Sequence, residues 1–400
     1  MLQKHIATVV AILLLTPLLF PLYPGLGEGL IRRSGEATQT ATAVTAGGAS
    51  GATTTPIALK TSTPYPTVAA RPGQSRAPSI GTPTTITGLS ATPAATPAPT
   101  SDPAGGIALG AYVSSAPWDP SKIDEFAQTI GAAPTIVMWY QNWAGGDSEK
   151  LAFAPGAMDE VVRRGAMPLV TWEPWDPEGG IAQPRFALRT ILAGDHDAFV
   201  RGWARDAARW NQPFYLRFAP EMNGDWYPWS PRISGNTAPE YVAAWRHVRN
   251  IFREEGATNV RWVWSPNVAD QYTTPFAAVY PGDDQVDWIG IVGYNWGTSQ
   301  SWSGWLSLAD YYAATYDALV ALADKPLMIA ELACTEEGGD KAAWISQGLL
   351  IDIPTRFPKV QALIWFQEQK ETDWRVNSSD ASLAAFRRVA SSPQYQGRLP

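Results

Sequence analysis

The chain has 400 residues, with 30 basic and 37 acidic side chains and a formal net charge of −7. That balance leaves no basic stripe for a phosphate backbone and argues against a nucleic-acid partner. The only cysteine is Cys334, so no intrachain disulfide can form and the chain must be stabilised by its core.

Residues 1–30 begin with Lys4 and His5, followed by an apolar run over 6–20 and then Pro21 and Pro24. This reads as a secretory signal peptide or an uncleaved signal anchor, and it places the bulk of the chain outside the cytoplasm, secreted or tethered to the cell surface. Residues 31–106 are dominated by Thr, Ala, Pro, Ser and Gly. Between 37 and 101 the only charged residues are Lys60, Arg71 and Arg76, and the only aromatic is Tyr65. Such a segment cannot bury enough apolar surface to offset its ordering entropy, and it reads as a disordered linker.

After residue 106 the texture changes, and all nineteen tryptophans lie beyond it. Apolar, β-prone runs occur at 107–113, 135–140, 167–171, 214–218, 260–264, 288–294, 326–330 and 362–366. Amphipathic patterns alternate with them at 122–130, 198–210, 239–255, 308–322 and 341–350, and a last one lies at 383–389. Eight strands nearly all followed by a helix imply a parallel sheet covered on both faces. The length suits a closed (β/α)8 barrel, a TIM barrel, over 107–395. No Gly-x-Gly-x-x-Gly follows the first strand, which counts against a dinucleotide fold. The connection after the fifth strand shows little helical pattern.

In such a barrel the working residues project from the C-terminal ends of the strands. Strand 2 ends at Trp139-Tyr140 with Trp143 beyond, and strand 3 at Trp172-Glu173-Pro174-Trp175. Strand 4 leads to Glu221 and Trp226, and strand 5 ends at Trp264. Strand 6 ends at Tyr294-Asn295-Trp296, strand 7 at Glu331, and strand 8 at Trp365 with Glu368 after it. These rings predict a tryptophan-lined groove on one rim, with Trp172 among the sugar contacts. Glu221 and Glu331, on opposed strands, form the pair of carboxyls that glycoside hydrolysis requires. Glu173 and Glu368 are candidate substrate-binding acids. Arg217, inside strand 4, needs a carboxylate partner if it is buried. The three histidines, His5, His196 and His247, make no zinc-like spacing, and no metal or cofactor is expected. No Gly-x-Ser-x-Gly elbow is present, and Cys334 reads as a small buried group.

The segment Arg217-x-x-x-Glu221-Met-Asn-Gly-x-Trp226-x-x-Trp229 resembles the acid/base motif of glycoside hydrolase family 26, the β-mannanase family. Gly293-Tyr294-Asn295-Trp296, Ile329-Ala-Glu331 and Ile364-Trp365-Phe366 resemble it as well. The resemblance implies a retaining (β/α)8 glycosidase with Glu221 as acid/base and Glu331 as nucleophile. It further implies Tyr294 bonded to that nucleophile, Trp226 and Trp365 as a platform around the sugar, and Asn223 in support. The expected partner is a polysaccharide and the expected state a monomer. Members usually carry histidine before the acid/base, where this chain has Pro220. The expected activity is endo-β-1,4-mannanase; the alternatives are β-1,3-1,4-glucanase, β-1,3-xylanase or exopolysaccharide hydrolase, and, from another class, a non-catalytic carbohydrate-binding protein.

Overall fold

The computed structural model describes residues 106–147, 150–270 and 272–400; the expected leader and nearly all of the expected linker lie outside the described residues. Eight strands, β1 (Ala108–Val113), β2 (Ile136–Asn142), β3 (Met167–Glu173), β4 (Phe214–Phe218), β5 (Val260–Trp264), β6 (Trp288–Asn295), β7 (Leu327–Cys334) and β8 (Val360–Gln367), close into one barrel in sequence order. All pair in parallel, and β1 seals the ring against β8 with Gly110 opposite Ile364. The chain folds as a (β/α)8 TIM barrel.

Each strand is followed by helical structure: α1 (Ser121–Ile130), α2 (Pro155–Arg163), α3 (Asp197–Trp210), α4 (Ala238–Glu254), α5 (Phe276–Val279), α6 (Leu308–Leu322), α7 (Lys341–Gln347) and α8 (Asp380–Ser391). The start of α4 shows how local sequence sets these boundaries. The Thr237 hydroxyl accepts from the Glu240 N–H while the Glu240 carboxylate accepts from the Thr237 N–H, a reciprocal capping box. Among the described residues, the weak connection after β5 contains only the single turn of α5. Helix α2 falls between the sequence patterns because it is short and opens on Pro155-Gly156. Met158 and Val161 nevertheless bury its inner face.

Strand alternation divides the buried residues into two sets. Ala108, Ile136, Met138, Leu169, Tyr215, Val263, Trp288, Met328, Ala330, Ala362 and Ile364 form a small core inside the barrel. The residues between them face outward into the larger layer under the helices, where most of the tryptophans lie.

Strand β7 departs from this alternation. Ile291 of β6 pairs with Ile329, but the next residue, Val292, pairs with Glu331, skipping Ala330. Against β8, Ile329 pairs with Leu363 and Leu332 with Trp365, so the same extra residue appears on that side. This is a β-bulge, which shifts the side-chain phase within a strand. Ala330 faces the barrel interior and, one residue later, so does Glu331.

Candidate active site

Glu221 is held by a strained turn. Beyond β4, Ala219 and Glu221 adopt φ of 44° and 54°, on either side of Pro220. The left-handed region costs a residue with a Cβ about 1–3 kcal/mol, so the surroundings must enforce it. They do so through four hydrogen bonds. Ala219 N–H donates to Trp172 O (3.0 Å), and Glu221 N–H donates to Ser265 O (2.7 Å). The Tyr241 hydroxyl donates to Ala219 O (3.1 Å), and the Trp229 indole N–H donates to Pro220 O (2.7 Å).

The Glu221 carboxyl is buried, and its Oε2 accepts from Asn267 Nδ2 (2.8 Å) and Trp226 Nε1 (3.1 Å). Two features aim those donors. A Cβ on Gly224 would lie 2.4 Å from the Trp226 ring, so only glycine lets the indole lie against the backbone there. Asn223 clamps the Asn267 backbone from both sides, donating to its carbonyl (2.9 Å) and accepting from its N–H (2.9 Å).

Across the opening, the bulge in β7 presents Glu331, which is also buried. Its Oε1 accepts from Arg217 Nη1 and its Oε2 from the Tyr294 hydroxyl. Arg217 is fully buried, with Nη1 also donating to Thr171 Oγ1 (3.1 Å). Its Nη2 lies 3.9 Å from Glu221 Oε1, so one guanidinium sits between the two carboxyls. Burial, followed by the negative charge of Glu331, pushes the Glu221 pKa up to about 7 against the pull of Arg217. Glu221 is thus protonated in acid and its charge is coupled to that of Glu331. Burial and the same carboxylate hold the Tyr294 phenol well above its usual range, so it remains a hydrogen-bond donor.

The expected rim of tryptophans is corrected by strand alternation. Trp172 is fully buried behind the wall, with its ring centroid 4.9 Å from those of Trp143 and Trp203. Trp365 also faces outward: its indole donates to Trp374 O (3.0 Å) and its ring meets Phe386 of α8 at 5.1 Å. Trp139 and Trp264 point the same way, and all four belong to the layer under the helices. Neither Trp172 nor Trp365 reaches the opening. Their neighbours do: Phe366 packs against Tyr112 (4.6 Å) and Tyr294 (5.5 Å). Trp374, in the loop after β8, packs against Tyr294 at 5.2 Å. Glu368 is partly buried at the rim, where it accepts from Ser114 Oγ (3.4 Å).

Two buried carboxyls thus share one buried guanidinium at the C-terminal mouth of a (β/α)8 barrel. Residues 199–373 match the family model described as Glycosyl hydrolase family 26. Endoglucanase H of Acetivibrio thermocellus is 40% identical over 286 residues, which are 70% of this chain and 30% of that protein. The chain belongs to glycosyl hydrolase family 26.

The family 26 chain thus spans less than a third of the length of endoglucanase H. A β-1,3-xylanase of Vibrio sp. is 30% identical over 110 residues, 26% of this chain and 22% of that protein. In fold this chain is similar to the catalytic domain of a family 26 endo-β-1,4-mannanase from Bacillus sp. JAMB-750. That likeness has a TM-score of 0.58 at 17% identity, over 73% of this chain and 87% of the other.

Two residues at the site, Asn267 and Thr171, were not singled out in the sequence. Asn267 follows β5 at the end of Trp264-Ser265-Pro266-Asn267, where the strand-end rule could have found it. Thr171, near the end of β3, is reached by the same rule two strands earlier. Glu173, read from the sequence as a candidate substrate-binding acid, is the most unusual residue of the site. It is fully buried on the inner face of β3, its Oε2 accepts from Trp175 Nε1 (3.1 Å), and its Oε1 has no partner among the described residues. Burial pushes its pKa up to about 8.

This shift has a definite sign for stability. An unfolded glutamate releases its proton near about pH 4.3, whereas folded Glu173 keeps it until about 8. Between those values the folded state binds more protons, so this residue destabilises the fold increasingly as pH rises, by up to about 1.4 kcal/mol per unit. Glu173→Gln removes the titration. Urea unfolding of this variant should match the wild type near pH 4 and show a growing stability advantage toward pH 8. An advantage that stays constant with pH means that Glu173 is ionised in the folded protein.

Proposed function

We propose that this barrel is an endo-acting, retaining β-glycanase, with a β-linked glucan as its preferred substrate and β-1,4-mannan as the second reading. The carrying observation is the bridge from Arg217 to both buried carboxyls, which have different surroundings. Glu331 has a cation and a phenol on its two oxygens, whereas Glu221 keeps a proton to about pH 7. This is the division of labour that double displacement requires.

In the first step Glu331 Oε attacks the anomeric carbon, forming a glycosyl ester. The bond to the leaving oxygen breaks, and that oxygen takes the proton of Glu221. The negative charge thereby moves from Glu331 to Glu221, and Arg217 faces both positions. In the second step Glu221, now a carboxylate, takes a proton from water. The water oxygen bonds the anomeric carbon from the side the leaving group vacated, and Glu331 departs as a carboxylate. The anomeric configuration is retained.

The substrate reading rests on position 220. The family histidine could offer a ring nitrogen to the sugar at that place. Pro220 has no side-chain donor, and its carbonyl is occupied by Trp229. A site without that donor loses a contact expected of the mannanases, and the relative 40% identical to this chain is named an endoglucanase. The reading extends to an exported or surface-tethered enzyme, as the apolar run at residues 6–20 suggests.

The test is the release of reducing ends from mixed-linkage β-glucan, glucomannan, galactomannan and β-1,3-xylan, with the first product's anomer followed by NMR. Mixed-linkage glucan should be cleaved fastest, with the β-anomer formed first. A galactomannan rate tenfold above the glucan rate overturns the glucan assignment. No reducing ends from any of the four, with binding retained, leaves a carbohydrate-binding protein.

A further inference from the structure

The segment from Trp296 to Trp305 carries three tryptophans in ten residues, Trp296, Trp302 and Trp305, and all three are only partly buried. The core tryptophans of the strand ends are fully or almost fully covered, whereas Trp296 and Trp305 pack against the core and still remain partly open to solvent. Their rings continue outward from the site. The Tyr294 ring, whose hydroxyl meets Glu331, lies 6.3 Å from Trp296, and Trp296 lies 5.4 Å from Trp302. Trp374 supports the row from behind, edge-on to Trp296 at 4.7 Å.

The loop is also built to be rigid. Ser299 Oγ donates to Trp296 O (2.6 Å), and Ser303 Oγ donates to Gly297 O (2.7 Å). Asn295 Nδ2 donates to Leu306 O (3.0 Å), and Thr298 N–H donates to Glu337 O (3.0 Å). Trp305 lies flat on the segment after β7: a Cβ on Gly339 would be 2.1 Å from its ring. Glu337 and Gly338, both exposed, border this platform, and the Glu337 carboxylate accepts from Thr372 (3.3 Å). A pre-ordered aromatic face beside exposed acceptors suits a pyranose ring, whose apolar face stacks while its hydroxyls donate.

We propose that Trp302, with Trp296, forms an outer subsite that holds a sugar unit of the β-glycan beyond the units next to the cleaved bond. The proposal rests on the β-glycanase reading of the same site. Its consequence is a dependence on chain length: substrates too short to reach Trp302 gain nothing from it, and polymers do.

The experiment pairs a binding measurement with a kinetic one. In a Glu331→Gln background, which removes cleavage, affinity electrophoresis through mixed-linkage β-glucan and through galactomannan compares Trp302 with Trp302→Ala and Trp302→Phe. The alanine variant should bind about tenfold more weakly and the phenylalanine variant should keep most of the retention. With Glu331 present, Trp302→Ala should lower kcat/KM about tenfold on the polymer, through KM, and leave the shortest cleaved oligosaccharide unchanged. Unchanged retention, or an equal loss on short and long substrates, overturns the subsite. Retention that depends on Trp302 in a protein that cleaves nothing supports the subsite and rejects hydrolysis, so the two readings fail separately.

Discussion

Glu331→Gln is expected to abolish polysaccharide cleavage, with kcat reduced on the order of 10⁵-fold or more, because the amide cannot form the glycosyl ester. Glutamine still accepts from Tyr294 or Arg217, so the variant should remain folded. Glu331→Ala is a harsher change, because it strands the buried Arg217 guanidinium. Removing one partner of a buried ion pair costs about 3–5 kcal/mol, and the alanine variant should show that loss in urea unfolding. A small anion such as azide should restore part of its activity by occupying the space beside Arg217, and the product should then be the α-glycosyl azide. Wild-type activity in Glu331→Gln removes this residue from the chemistry.

The second large effect is at Glu221. Because its proton is lost near pH 7, the wild-type kcat/KM should fall as pH rises through about that value. Glu221→Ala should eliminate this alkaline limb and slow cleavage of the natural polymer by about 10²–10⁴-fold. Formation of the glycosyl ester from an aryl glycoside with an acidic leaving phenol should suffer far less, since that oxygen needs no proton. An equal loss on both substrates assigns Glu221 to binding.

The fold could be read in the sequence because the strands of a parallel barrel are buried on both faces and appear as continuous apolar runs. Phe214–Phe218 and Val260–Trp264 are found within their predicted limits. The site was legible where chemistry restricts the side chain: Arg217, Glu221, Tyr294 and Glu331 come together as their motifs implied. Trp172, expected from its strand end, and Trp365, expected from the family resemblance, miss the opening because strand phase turns both outward. In Trp172-Glu173 and Trp365-Phe366 only the second residue faces the opening, and the first packs under helices. Two further features carry no composition signal. The bulge that turns Glu331 inward follows from pairing on both sides of β7. The left-handed backbone of Ala219 and Glu221 runs against the preference of those residue types and is imposed by contacts distant in sequence.

The outward phase of the strand-end tryptophans has a spectroscopic consequence. Indole emission shifts with the polarity around the ring, and most of the nineteen indoles are sealed beneath helices. Intrinsic fluorescence will therefore mainly follow the integrity of the barrel wall, and a sugar entering the mouth will alter only the share emitted by partly buried rings such as Trp226, Trp296 and Trp302. A binding titration should use difference absorbance or a dye, or a variant in which Trp302 contributes a larger share of the signal.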